Sequence, residues 1–176
     1  MNEDKMGWID EREAERSKEY FNIKEGENCF FLLSYTIPLA QVWDNASKQY
    51  RVAVEGDKNA SIKGICWVLQ DEMIKLARLP YTAVKQLRAY QTNKEWELGE
   101  FPWAHQVTLT AKGAGTKEVE YTTTLSPKKT KFSQEILNEL VKKDPPEMIV
   151  ENIKSKAQPD KPIEYPEGSN PADIPF

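Results

Sequence analysis

Soft metal ligands are scarce in this chain. Cys29, Cys66 and the single histidine, His105, are all there are in 176 residues, with no CxxC or HxxxH spacing, so a four-ligand zinc site cannot be built. The two cysteines sit in separate apolar runs, which implies no disulfide framework and fits a reducing compartment best. Long apolar runs are lacking too. Nowhere do about 18 apolar residues follow one another, and the opening MNEDKMGWID carries no apolar segment of a secretion signal. The expectation is a soluble cytoplasmic protein without a membrane partner. Catalytic signatures are missing as well: there is no GxSxG, no Walker-type loop, no HExxH and no carboxylate set with a histidine beside it. Neither an enzyme nor a cofactor or metal is expected, and His105, opening a β run, reads as structural.

What remains is one modest core. Hydrophobic residues make up 39%, aromatics 10% and charged residues 30%, and at roughly 100–200 residues per domain the length allows one domain and a tail. The net charge of −4 hides an uneven distribution. Residues 1 to 20 carry 7 acids against 4 bases, residues 21 to 143 carry 14 against 17, and residues 144 to 176 carry 7 against 3. A mildly basic middle lies between two acidic ends, which suggests an anionic partner for the middle, although an ordinary solvated surface gives the same balance.

Composition also sets the boundaries. Seven of the 11 prolines fall in the last 33 residues, together with acids and few large apolar side chains, so residues 144 to 176 are expected to form a mostly disordered acidic tail. Residues 1 to 20, with DEREAERSKEYF, read as a charged helical or frayed arm. Between them, residues 21 to 143 alternate short β-type runs with turn residues. Strands are expected at 28–36, 49–55, 62–70, 72–79, 105–113 and 118–126. PYTAVKQLRAY places Pro80 in a first helical turn and spaces Val84, Leu87 and Tyr90 at helical intervals. Ser133 suits the N-cap of a second helix, SQEILNELVKK, with a stripe of Ile136, Leu137, Leu140 and Val141. Five to six strands with one inserted helix and a C-terminal helix predict a mainly β protein built as a small OB-like barrel.

A single-strand binder needs flat apolar faces for bases and cations for phosphates. Tyr50 with Arg51, Trp67 near Lys63, Lys75 and Arg78, Arg88 with Tyr90, Trp96, and Trp103 supply that mixture, although each ring can equally serve the core. Tyr121 shares the parity of Val119 and belongs to the apolar face of its strand. Lys112 leads into the loop GAGT, which is either a plain hairpin turn or a loop that approaches phosphate. Lys128, Lys129 and Lys131, just after a strand, are either a solvated turn or a phosphate grip. At the other end, Asp173, Ile174, Pro175 and Phe176 combine an acid, a stiffening proline and an aromatic ring beside an α-carboxylate, a combination suited to a basic-rimmed partner pocket.

Two resemblances follow. The ending DIPF resembles the acidic C-terminal tip of bacterial single-stranded DNA-binding protein, SSB, which recruits replication and repair proteins. EGEN (25 to 28), LPYTAVKQL (79 to 87) and VTLTAKGAGTKEVEYTTTLSPKKTKF (107 to 132) resemble the OB-fold single-stranded DNA-binding proteins of bacteriophages over about two thirds of the chain. The resemblance implies coating of single-stranded DNA in phage replication or recombination, and recruitment of host or phage replication and repair proteins through the tip. Some such proteins carry a zinc-binding insertion, which this chain has no ligands for. The alternative is an OB-like interaction module that docks on replication proteins without holding DNA.

Overall fold

A computed structural model of the chain describes residues 19–156, so residues 1–18 of the charged arm, residues 157–176 of the tail and with them the tip Asp173, Ile174, Pro175 and Phe176 lie outside the described residues. The strands are β1 (Gly26–Leu32), β2 (Ile37–Asp44), β3 (Gln49–Val52), β4 (Ser61–Gln70), β5 (Met73–Pro80), β6 (His105–Lys112) and β7 (Glu120–Lys129). The helices are α1 (Tyr81–Thr92), α2 (Gln134–Val141) and α3 (Pro146–Lys156).

Local chemistry accounts for most of these elements. Along β6, Val107, Leu109 and Ala111 are buried while the residues between them are not, as period-2 patterning requires. Asp71 and Glu72 both take positive φ, 53° and 61°, the conformation of a two-residue turn that matches strand twist, and β4 and β5 pair on either side from Gln70 with Met73 to Lys63 with Pro80. Ser133 caps α2 by accepting from the Ile136 amide at 3.3 Å, as expected.

All seven strands join one antiparallel sheet in the order β3-β2-β4-β1-β6-β7, with β5 on β4. β4 organises the sheet. One of its edges meets β2 through Ile37 and Ile65 and then β1 through Leu32 and Val68, so β1 and β2 lie end to end. The break between them is bridged by the Leu33 amide, which donates to the Trp67 carbonyl at 3.0 Å, and by the Ser34 hydroxyl, which accepts from the Trp67 amide at 2.9 Å. The expected single strand over 28–36 therefore ends earlier, and β2 is a strand the sequence pattern did not separate.

Among the described residues β5 and β7 do not pair, so the sheet stays open and is compatible with an OB-like fold without closing into a barrel. Helix α1 stands at the opening and meets the backbone edge of β7 with side chains. Gln86 Nε2 donates to the Tyr121 carbonyl at 2.9 Å, Gln86 Oε1 accepts from the Thr123 amide at 2.6 Å and from its hydroxyl at 2.8 Å, and the Tyr90 hydroxyl donates to the Thr123 carbonyl at 3.1 Å. An unpaired strand edge is a template for association, and this amide takes the place of a strand neighbour. The close approach of α1 depends on Gly64, where a Cβ would stand 2.6 Å from Val84 Cγ2.

The inner face of the sheet encloses the main core, including Phe30, Leu32, Val68, Leu79, Leu87, Trp103, Val107 and Leu109. The other face of β4 and β5 is covered by the C-terminal helices. Ile136 and Leu140 of α2 pack with Leu33, Leu69, Ile74 and Trp67, and Val150 and Ile153 of α3 with Leu39, Ile65 and Leu76. Helix α3 thus lies beyond Lys143, the expected limit of the domain, and packs on the sheet. Val150, 4% exposed, is part of what anchors this helix: burying such a side chain contributes about 1.5–3 kcal/mol, and Ile149 and Ile153 pack beside it. No helix among the described residues is long and apolar enough to cross a membrane.

Candidate nucleic-acid interface

The fold sorts the aromatic candidates sharply. Trp103 is 1% exposed and lies in the main core, stacked on Phe101 with ring centroids 5.1 Å apart. Tyr90 and Trp96 are half-buried against the same core, Trp96 edge-on to both Tyr90 and His105. All three rings pack on the main core, Trp103 within it, and Leu98 and Phe101 of the segment between α1 and β6 pack there too. Trp67 is half-buried under α2, its Nε1 donates to the Asp144 carbonyl at 2.8 Å, and Lys143 sits over its ring. Of the rings named from the sequence only Tyr50 is freely exposed, at 57%. Tyr121 packs against the main core, as its parity indicates.

Pattern reading missed other rings. Trp43, 48% exposed, stands directly across from Tyr50 in the β2–β3 hairpin, edge to face at 5.1 Å. The available signal was a Trp and a Tyr flanking the turn DNASKQ. Tyr35 and Tyr81 are also exposed, and Lys85 holds its ammonium 4.7 Å from the Tyr81 ring centroid.

The cations divide in the same way. Lys75 is only 4% exposed and its ammonium donates to Gln70 Oε1 at 2.9 Å, so it is a structural base. Arg51 is exposed but forked onto Asp57, with contacts of 2.8 and 2.9 Å that hold the Asp57 carboxyl down at about 2. Lys63 is half-buried, and that burial lowers its pKa from the ordinary lysine value. Arg78, Arg88, Lys112, Lys128, Lys129 and Lys131 are exposed. The amides of the GAGT loop are already committed: Gly113 and Ala114 donate to the Glu25 carboxylate at 3.1 and 2.7 Å, which lowers the Glu25 pKa. The loop holds an internal anion rather than an open phosphate nest. His105 donates through Nδ1–H to the Ser126 carbonyl at 2.8 Å and is buried, a structural role.

Of the exposed cations named above only Arg88 meets exposed rings at one place, joined there by the half-buried Lys63. Two adjoining hollows share Thr36, Val84 and Arg88 and run between α1, the bend after β1 and the start of β4. The larger, about 180 Å³, is bordered by Tyr35, Arg88 and Gln91 with an apolar floor that includes Leu87 and Trp103; the smaller reaches Tyr81 and Lys63. Two exposed rings and two bases therefore border a single groove. Glu147 at the start of α3 and local burial raise the Tyr35 pKa, burial being the larger influence. Comparison of the chain with models of protein families, with curated proteins and with solved structures gives no match.

Proposed function

We propose that this chain is a single-stranded DNA-binding protein of the bacteriophage type, acting in the cytoplasm of a bacterial host. The observation that carries the reading is the groove along α1, where Tyr35 and Tyr81 alternate with Arg88 and Lys63 and where Lys85 lies over Tyr81. Bases stack on the rings while the cations hold phosphates, which is sequence-tolerant and needs no chemical step. The Trp43–Tyr50 pair offers a second platform on the hairpin. In replication or recombination the protein coats exposed strands, and residues 173–176 recruit host or phage replication and repair proteins.

The test is alanine substitution of Tyr35 and Tyr81 with affinity for oligothymidine as the readout. Each stacked base contributes roughly 1–3 kcal/mol. A loss of that size with unchanged thermal stability supports the reading, and two substitutions without effect on affinity overturn it. A second reading, an interaction module that does not bind DNA, is favoured by one observation: α2 and α3 cover the face of β4 and β5 on which an OB domain commonly binds an oligonucleotide. Absence of any oligothymidine binding at low salt decides for it.

A further inference from the structure

Strand β3 lies at an edge of the sheet, and its register tells which of its backbone groups are free. It pairs only with β2, as Gln41 with Val52, Val42 with Arg51, Trp43 with Tyr50 and Asp44 with Gln49. One place further along, the Ala53 amide donates to the Ala40 carbonyl at 2.9 Å. Bonded and non-bonded pairs alternate along an antiparallel ladder, so Gln49 and Arg51 bond to β2 while Tyr50 and Val52 turn their amides and carbonyls outward. The chain itself closes the far end of this edge. The Val54 amide donates to Asp57 Oδ2 at 2.7 Å, the Val54 carbonyl accepts from the Asp57 amide at 3.1 Å, and Arg51 Nη1 donates to the Val52 carbonyl at 3.3 Å. The Tyr50 amide, the Tyr50 carbonyl and the Val52 amide are left without a partner among the described residues.

We propose that a second copy of this chain covers this edge, with β3 of each copy pairing antiparallel about a two-fold axis at Arg51. In that register Tyr50 stands opposite Val52 of the copy, and each such pair exchanges two hydrogen bonds. The four bonds use every free group of the edge, and the Val52 carbonyl accepts with its second lone pair. The closure at Val54 fixes the register, because a longer or shifted pairing finds that amide already taken. On the outer face Tyr50, 57% exposed, comes beside Val52 of the copy, an aromatic and β-branched cross-strand pair. On the other face the two Arg51 side chains meet at the axis, and each is already forked onto its own Asp57 at 2.8 and 2.9 Å, which neutralises them. Residues 44 to 58 carry three acids and three bases, so two hairpins approach without net repulsion. Nor does β3 contain the lysine or proline with which exposed edges are commonly blunted. A contact between strands of four residues belongs to the weak, transient class. The proposal does not depend on the single-strand reading above.

The experiment is equilibrium sedimentation of the full chain from about 10 μM to about 1 mM, with amide hydrogen exchange over the same range. The expected mass rises toward that of a dimer, and exchange at Tyr50 and Val52 slows with concentration while Val42 and Arg51, bonded within the hairpin, do not change. Tyr50→Pro removes an outward amide without breaking a bond to β2, and keeps the protein monomeric at the top of the range with its melting temperature unchanged. Cross-linking reads the register. The two Arg51 positions form a non-bonded pair about 4.5 Å apart at Cα, within disulfide range. In a Cys29→Ser background, where Cys66 stays buried, Arg51→Cys therefore gives a covalent dimer with oxidised glutathione, whereas Gln49→Cys, opposite Ala53 of the copy, does not. Three results overturn the proposal: a monomer throughout the range, a dimer that survives Tyr50→Pro, or Gln49→Cys cross-linking as readily as Arg51→Cys. Protection of Tyr50 and Val52 that appears only with oligothymidine, in a protein that stays monomeric, also overturns it and gives this edge to nucleic acid.

Discussion

Replacing Gln86 by alanine removes the side chain that stands in for a neighbour of β7. Three hydrogen bonds go with it, at 2.6, 2.8 and 2.9 Å, and the Thr123 amide, in a residue 4% exposed, and the half-buried Tyr121 carbonyl lose partners that water reaches poorly. Each buried group left without a partner costs roughly 1–3 kcal/mol, so the loss amounts to about 3 kcal/mol. For a domain of this size that corresponds to on the order of 10 °C in Tm. Urea denaturation measures the free energy, and amide hydrogen exchange at Thr123 locates it: its protection falls more than that of Leu109 in the neighbouring strand. Gln86→Glu keeps an acceptor for Thr123 but points a carboxylate at the Tyr121 carbonyl, and it falls between wild type and alanine. A Gln86→Ala protein within about 0.5 kcal/mol of wild type, or unchanged exchange at Thr123, would refute the idea that α1 completes the open side of the sheet.

Other expectations follow from single contacts. Arg51→Gln releases Asp57, whose titration midpoint, read by carbon NMR, rises from about 2 toward the ordinary 3.8. Because the folded value is the depressed one, the stabilising contribution of this pair is present above the ordinary carboxylate value and fades as pH falls through the folded one, and Arg51→Gln flattens that part of the acid limb. Cys29 is exposed and Cys66 buried, where burial pushes its thiol far above the ordinary value, so a disulfide reagent modifies one thiol in the native protein and two after denaturation. Lys75→Met leaves oligothymidine affinity within about twofold, since that ammonium is spent on Gln70.

How far the sequence carries can be traced residue by residue. The β6–β7 hairpin, the β4–β5 hairpin, α1 and α2 are legible because alternation, turn residues and an N-cap are local signals. β2 is not: Pro38 reads as an interruption, yet it pairs opposite Gly64, and the boundary with β1 is set by Ser34 reaching the Trp67 amide, a contact 33 residues away in the chain. Helix α3 was hidden by the prolines around it. Pro146 opens that helix, and Ile149, Val150 and Ile153 give it an apolar side whose counterpart is Leu39 and Ile65 far upstream. The site was less legible than the fold. Residue type shows that Trp96, Trp103 and Tyr50 can stack on a base, but only tertiary packing distinguishes the buried Trp103 from the exposed Tyr50, and only the approach of α1 to the bend after β1 brings Tyr35 and Arg88 together.

The most direct test of DNA coating is a titration of oligothymidine, against duplex of the same length, across a range of salt concentrations with tryptophan fluorescence as the readout. Each phosphate contact on a single strand contributes about −0.7 to the slope of log affinity against log salt. The expected result is a slope worth several contacts, quenched emission, and clear preference for the single strand, with Lys128, Lys129 and Lys131 jointly replaced by glutamine reducing the slope. Equal affinity for duplex, or no binding at low salt, would contradict it.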